Sequence, residues 1–435
     1  MSTEENRHGS AQASGHGSTE AGGHGSVEAG GHGSVEAGGH GSVEAGGHGS
    51  VEAGGRGGLE SVIAGLPLVD HHVHGASAGE FARPEFETLV TESDRAIPSF
   101  MTQFDSQIGF AIRRWCAPVL GLPAHAHPDD YLTRRAELGP AEVNRRLLVA
   151  SGIGRWLVET GYRGDDVLDP AQMAKVSGRP AHEVVRIERV MEEVAAGGVS
   201  AASFPDRFRA ALATRSAAAV GLKSIVAYRH GFDFDPAVPS DKEVIDAAGR
   251  WLARTETGAD PRVDDPVLLR FGLWTGVERG LPLQLHAGYG DPDVELHRCD
   301  PLLLTRWLKL VEPHGVDITL LHCYPYHRNA GYLAQVFPHV YFDVGLGINY
   351  TGSRSDALIA ESLELAPFAK ILFSSDAWGP AELHLLGARL FRRGLGRALR
   401  GWVEAGEWTE SDAIRVATMI GSDNALRVYG LRSSA

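Results

Sequence analysis

From residue 59 onward, short apolar runs alternate with longer amphipathic stretches, the texture of parallel strands separated by covering helices. Eight such runs stand out, at 66–74, 154–160, 184–188, 222–229, 282–286, 317–322, 340–344 and 370–375. Between them, helical patterns fall at 242–255, 266–280, 300–314 and 356–365. Eight strands with interposed helices predict an α/β fold of the (β/α)8 TIM-like barrel kind. The interval 83–149 is too long for an ordinary strand-to-helix connection and carries helical patterns at 100–116 and 141–148. A helical insertion after strand 1 is therefore expected. At the strands' carboxyl ends it would overhang the usual barrel active site as a lid, or else dock another subunit in a homo-oligomer.

The first 57 residues read differently. An octapeptide, AGGHGSVE in its cleanest form, repeats with histidines at 8, 16, 24, 32, 40 and 48, and Arg56 stands where the next would fall. Such a stretch has almost no bulky apolar side chains to offset the entropy of ordering, so 1–57 is expected to be a disordered tail and 58–435 the barrel domain. Its evenly spaced imidazoles offer adaptable metal chelation, although a solvated low-complexity tail is the simpler reading.

Composition narrows the partners. With 41 basic against 55 acidic residues the formal charge is −14, which argues against nucleic acid or an anionic membrane and leaves small-molecule substrates open. The three cysteines, Cys116, Cys299 and Cys323, show no CxxC spacing, so neither a disulfide framework nor a zinc ribbon is expected. No run approaches the roughly 18 to 20 apolar residues that cross a bilayer, and the chain starts with polar MSTEENRHGS, so a cytoplasmic protein is expected.

The strongest local signal is LVDHHVHG. His72 and His74 lie two residues apart on a strand and so project from one face, where two imidazoles can chelate one cation; His71 points the other way and reads as a packed residue. Three further runs end in metal-competent residues: LPLQLH in His286, DITLLH in His322 and KILFSSD in Asp376. The 36 residues from His286 to His322 suit one βα unit, and the 54 from His322 to Asp376 suit two. In a closed barrel these side chains converge above the carboxyl rim. Imidazole and carboxylate donors suit zinc, with manganese, iron or nickel as alternatives, as one ion or two.

Lysine is rare, with five in the chain, so Lys223 in the apolar run GLKSIVAYRHG attracts notice. It either reaches outward to solvent or sits in the barrel, where desolvation favours the neutral amine that carbamylation and metal bridging require.

The order HxH, Lys, His, His, Asp along successive strands resembles the amidohydrolase superfamily. Several segments are similar to its amidohydrolase-related branch, represented by the N-terminal domains of FluG and of nodulin and glutamine-synthetase fusion proteins. These are LKSIVAYRHG, PLQLHAGYGD, LLHCYPYHRNAGYLA, VYFDVGLG, ILFSSDAWGPAELHLLG and SDNALRVYGL, within about 62–432. The resemblance implies that His72, His74 and Asp376 bind metal and that His286 and His322 complete the site. The chain departs from the fusion proteins in its His-repeat tail and in lacking a synthetase domain.

A divalent ion at such a site acidifies water, Asp376 is placed to take the proton, and His322 or Lys223 to steady the oxyanion. Metal-dependent hydrolysis of an amide, a non-peptide C–N bond, is the leading reading. A metal-dependent decarboxylase on the same barrel is the alternative, and a non-catalytic metal-binding protein a third. The rim loops hold candidate substrate contacts at Arg186, Glu188, Arg229, His230, Tyr289, Asp291, Tyr324, Arg328 and Trp378. A rim arginine favours a substrate carboxylate, and the resemblance implies a carboxylate-bearing, γ-glutamyl-like amide.

Overall fold

In the computed structural model, which describes residues 58–258 and 261–431, seven parallel strands form one sheet in chain order. They are β1 (Leu68–Val73), β2 (Ile153–Glu159), β3 (Ala181–Arg186), β4 (Gly221–Ser224), β5 (Leu283–Ala287), β6 (Ile318–His322) and β7 (Val340–Phe342). The tail expected at 1–57 lies outside the described residues. All of the described residues fall in one unit spanning 56–435.

Covering helices explain why the strands read as nearly continuous apolar runs: every residue of β1, β4, β5, β6 and β7 is buried. The helix Asp241–Glu256 buries Val244, Ala248 and Trp251 on one face and starts at a capping box in which Ser240 and Glu243 satisfy each other's backbone. Pro266–Glu278 is buried along most of its length, with Asp265 accepting from the Val267 amide at its start. Cross-strand register then sets side chains beside one another: Arg186 of β3 pairs with Lys223 of β4, and Lys223 with Gln284 of β5.

Two expected strands are corrected. The run 222–229 is extended only as far as Ser224, because the buried Glu188 carboxylate takes the Ile225 amide (3.0 Å) and the Ser224 hydroxyl, and Val226–Arg229 coils into a short helix. The run 370–375 forms no regular strand. Its backbone still bonds to both neighbours, Leu372 N donating to Phe342 O (3.0 Å), and His71 N to Phe373 O (3.2 Å). Regularity is lost because the Ser375 amide turns to the Asp70 carboxylate (2.9 Å) and Asp376 takes a φ of 48°.

Between β1 and β2 the chain is helical as expected, with helices at Arg83–Thr88 and Gln107–Ala111 and a long one at Pro128–Ser151 bent at Gly139. The long helix is tied to the helix Ala381–Glu404 through buried Glu382, which receives the Tyr131 hydroxyl (2.8 Å) and the Arg135 guanidinium (3.0 Å). No helix among the described residues is long and apolar enough to cross a membrane.

Candidate metal centre

The carboxyl ends of β1 and β6 and the irregular segment beyond β7 bring three residues together. Potential ligand atoms of His72, His322 and Asp376 all lie within 4.8 Å of one another. His72 Nε2 is 3.0 Å from Asp376 Oδ1, and His322 Nε2 is 3.2 Å from Asp376 Oδ2. His74 joins at 3.7 Å from Asp376 Oδ1. The His286 ring, from the end of β5, has its centroid 4.9 Å from that of His322. Lys223 is inward and only 2% exposed, with Nζ 3.3 Å from His72 Nε2, so the outward, solvent-reaching alternative is excluded. All six residues singled out for metal chemistry thus share one site.

The backbone is bent to present them. His322, Cys323 and Asp376 have φ values of 67°, 54° and 48°, a region that non-glycine residues seldom occupy and that costs about 1–3 kcal/mol each. Asp343, just after β7, holds the β6 turn by accepting from the His322 amide (2.9 Å) and the Gly345 amide (2.7 Å). The Asp376 amide bonds to His72 O (3.2 Å), so the carboxylate and the first imidazole are fixed to each other through backbone.

A second layer determines the tautomers. The Gln284 amide nitrogen donates to His71 O (2.7 Å) and to the Tyr429 hydroxyl (2.8 Å), leaving its oxygen as acceptor for His72 Nδ1–H at 2.7 Å. His72 Nε2 therefore faces the cluster unprotonated, its lone pair toward Lys223 Nζ at 3.3 Å. Tyr429, whose oxygen is already receiving from Gln284, donates to His71 Nδ1 (3.0 Å), and His71 Nε2–H donates to Asp343 (2.9 Å). His71 is thus packed on the far side, as expected.

Electrostatics match a cation site. Burial, reinforced by Lys223 and the neighbouring imidazoles, holds His72 and His322 well below the usual histidine range, and burial and Lys223 do the same to His286. Burial also lowers the Lys223 ammonium and raises the Asp376 carboxyl. Neutral imidazoles are the metal-binding form. Moreover, His286 Nε2 is buried with no hydrogen-bond partner and His322 Nε2 has none beyond its 3.2 Å approach to Asp376 Oδ2, an arrangement that costs free energy unless something else engages those nitrogens. Together with Asp376 they fit a divalent cation.

The rim residues divide. Arg186 is buried and committed to Glu159, with Nε and Nη2 at 3.0 and 2.6 Å, and Glu159 in turn lies 3.1 Å from His74 Nδ1. Arg229 pairs with Glu192 (3.0 Å), and Glu188 is occupied in ending β4. Tyr289 packs edge-on to Tyr324 (6.4 Å) and Tyr350 (5.6 Å), and Trp378 lies against Tyr162 (5.4 Å). His230 stands beside Arg298 (3.4 Å). Arg328 is a correction: it is 58% exposed and bound to Glu364 (2.8 Å) and Glu361 (3.5 Å), a surface arrangement rather than one facing the cluster. Four supporting residues were not foreseen: Glu159, Gln284, Asp343 and Tyr429. Strand alternation carries a signal for Gln284, which shares a face with His286 two residues on; Glu159 and Asp343 fall at strand ends like the histidines.

The amidohydrolase family model matches residues 122–431. Protein fluG of Emericella nidulans is 28% identical over 405 residues, a match covering 84% of this chain but only 46% of fluG, so the chain spans about half the length of that relative. A crystal structure from Lactobacillus casei, provisionally described as a metal-dependent hydrolase, superposes with a TM-score of 0.76 at 28% identity, covering 86% of this chain and 98% of that one. The uronate isomerase of Bacillus halodurans shares the fold at 15% identity, with a TM-score of 0.58 and coverage of 86% and 96%. With the family's match extending over most of its length, this chain belongs to the amidohydrolase family.

Proposed function

We propose that the protein is a metal-dependent hydrolase that cleaves an amide, a C–N bond other than a peptide bond, in a small molecule. The observation that carries this is the meeting of His72, His322 and Asp376 within 4.8 Å, beside buried imidazole nitrogens that lack hydrogen bonds. His72, His74, His286, His322 and Asp376 are the residues that would hold the ion, zinc by donor type, in a barrel whose eighth stave is the 371–377 segment. When bound, such an ion supplies water acidified to near neutrality and polarises a carbonyl.

Asp376 receives the water's proton and delivers it to the departing nitrogen; its burial, which raises the carboxyl, suits a group that must both take and release. Lys223, 3.3 Å from His72, and His322 are the groups able to face a developing oxyanion. The same lysine is the residue that would bridge a second ion if carbamylated. Arg186 and Arg229 already serve protein carboxylates, so neither is offered here as the grip for a substrate carboxylate. The test is metal analysis of wild-type and Asp376→Asn protein with a screen of N-acyl and γ-glutamyl amides. Metal-dependent amine release is expected. Turnover that survives metal removal, or release of carbon dioxide instead of amine, would overturn the proposal.

A further inference from the structure

Beside the imidazole cluster lies a cavity of about 320 Å³ lined by Glu92, Tyr289, Gly290, Asp291 and Val294. Gly290 is its junction with the cluster. A methyl group built there would stand 2.4 Å from the Tyr228 hydroxyl and 3.1 Å from His286 Nε2, so only a bare backbone separates the cavity from that imidazole. That nitrogen is buried, has no hydrogen-bond partner and lies against Gly290.

The charges lining this space are of one sign. Among the described residues neither Glu92 nor Asp291 belongs to an ion pair, whereas the arginines around the rim are engaged elsewhere. Arg163 bonds Asp166 (2.7 Å), Arg186 bonds Glu159 (2.6 Å), Arg229 bonds Glu192 (3.0 Å) and Arg262 bonds Asp293 (2.7 Å). The rest of the lining is uncharged, with Tyr289 its aromatic member and Val294 and Leu296 apolar. Tyr350 donates its hydroxyl to Glu92, Tyr289 packs on Tyr350, and Tyr228 lies with its ring centroid 4.3 Å from that of His286. Burial first, then the nearby Asp376 and Asp291 charges, pushes Glu92 up to about 7. Burial likewise raises Asp291. Carboxylates half-withdrawn from water are poorly accommodated; Arg262 acts on Asp291 but is itself paired with Asp293, and the Tyr289 face adds further attraction for positive charge.

We propose that this cavity is the specificity pocket of the enzyme and that it seats an ammonium group, so the amide cleaved at the metal centre belongs to an amine-bearing small molecule. The ammonium seat stands on the cavity itself, while the bond that is cleaved rests on the hydrolase reading above.

The experiment uses the full chain loaded with zinc. Calorimetry compares n-butylammonium, 1-butanol and butyrate, and turnover compares two p-nitroanilides alike except that one acyl chain ends in an ammonium and the other in a methyl group. The ammonium probe is expected to bind at least about tenfold tighter than the other two, and its anilide to have the higher kcat/KM. Both preferences are expected to collapse towards unity in Glu92→Gln/Asp291→Asn. Equal binding of the three probes by wild-type protein, or preference for butyrate, overturns the pocket assignment without using any variant. Selective ammonium binding with neither anilide cleaved upholds the pocket and removes the hydrolase.

Discussion

The side-chain oxygen of Gln284 lies 2.7 Å from Nδ1 of His72, and this single contact decides which nitrogen of that histidine faces Asp376. Gln284 has no freedom to turn over, because its amide nitrogen is bound to a carbonyl, His71 O, that can only accept. The metal-facing lone pair of His72 is thus set by a residue that itself stands behind the site.

Replacing Gln284 by leucine removes the acceptor for His72 Nδ1–H, and zinc affinity is expected to fall about 10- to 100-fold. Glutamate at this position retains an acceptor and is expected to bind metal more tightly than leucine does. Competition against a zinc chelator at equilibrium reads both; equal affinity in leucine and wild-type proteins would show that Gln284 does not orient the ligand.

Asp376→Asn keeps the shape of the side chain but removes the proton acceptor. A loss of about 10²- to 10⁴-fold in kcat is expected, with the folded state retained. Chelation is expected to abolish turnover of wild-type protein and added zinc to restore it, measured as amine release.

Arg186 and Glu159 form a buried pair at 2.6 Å, with Arg186 holding the Glu159 carboxyl well below its usual range against the opposing effect of burial. Arg186→Leu leaves that charge without its guanidinium and is expected to cost about 3–5 kcal/mol in urea unfolding. The double variant with Glu159→Gln is expected to recover part of the loss. If the two variants are equally stable, the penalty does not come from the stranded charge.

His384 is fully buried, donates from Nε2 to His74 O (3.0 Å), and is held by burial down to about 4 from an ordinary 6.5. The unfolded chain therefore takes up a proton near pH 6.5 that the folded chain refuses until near pH 4. Its contribution is complete above the higher value and is lost as pH falls towards the lower, roughly 3 kcal/mol in all. Metal-free His384→Gln protein, which retains a donor, is expected to lose less stability than wild type between about pH 7.5 and pH 5. Matching slopes in urea unfolding would refute this.

The metal-competent residues were legible because each ends an apolar run, where alternation and barrel geometry fix the direction of the side chain. Lys223 was ambiguous for a related reason: snorkelling and burial leave the same mark on a sequence, and only its register beside Arg186 and Gln284 separates them. Arg229 and Arg186, read from the sequence as substrate contacts, pair with Glu192 and Glu159 on other elements, and no local pattern announces an ion pair across the fold. The irregular eighth segment was hidden because the bond that disrupts it, from Ser375 to Asp70, spans 305 positions.

The hydroxyl of Tyr429 reaches His71 across 358 positions of chain and also receives Gln284. A ribosome that has just released the first histidine pair must therefore add hundreds more residues before the scaffold behind them is complete. Until then a nascent polypeptide carries its chelating side chains without the hydrogen-bonded backing that orients them.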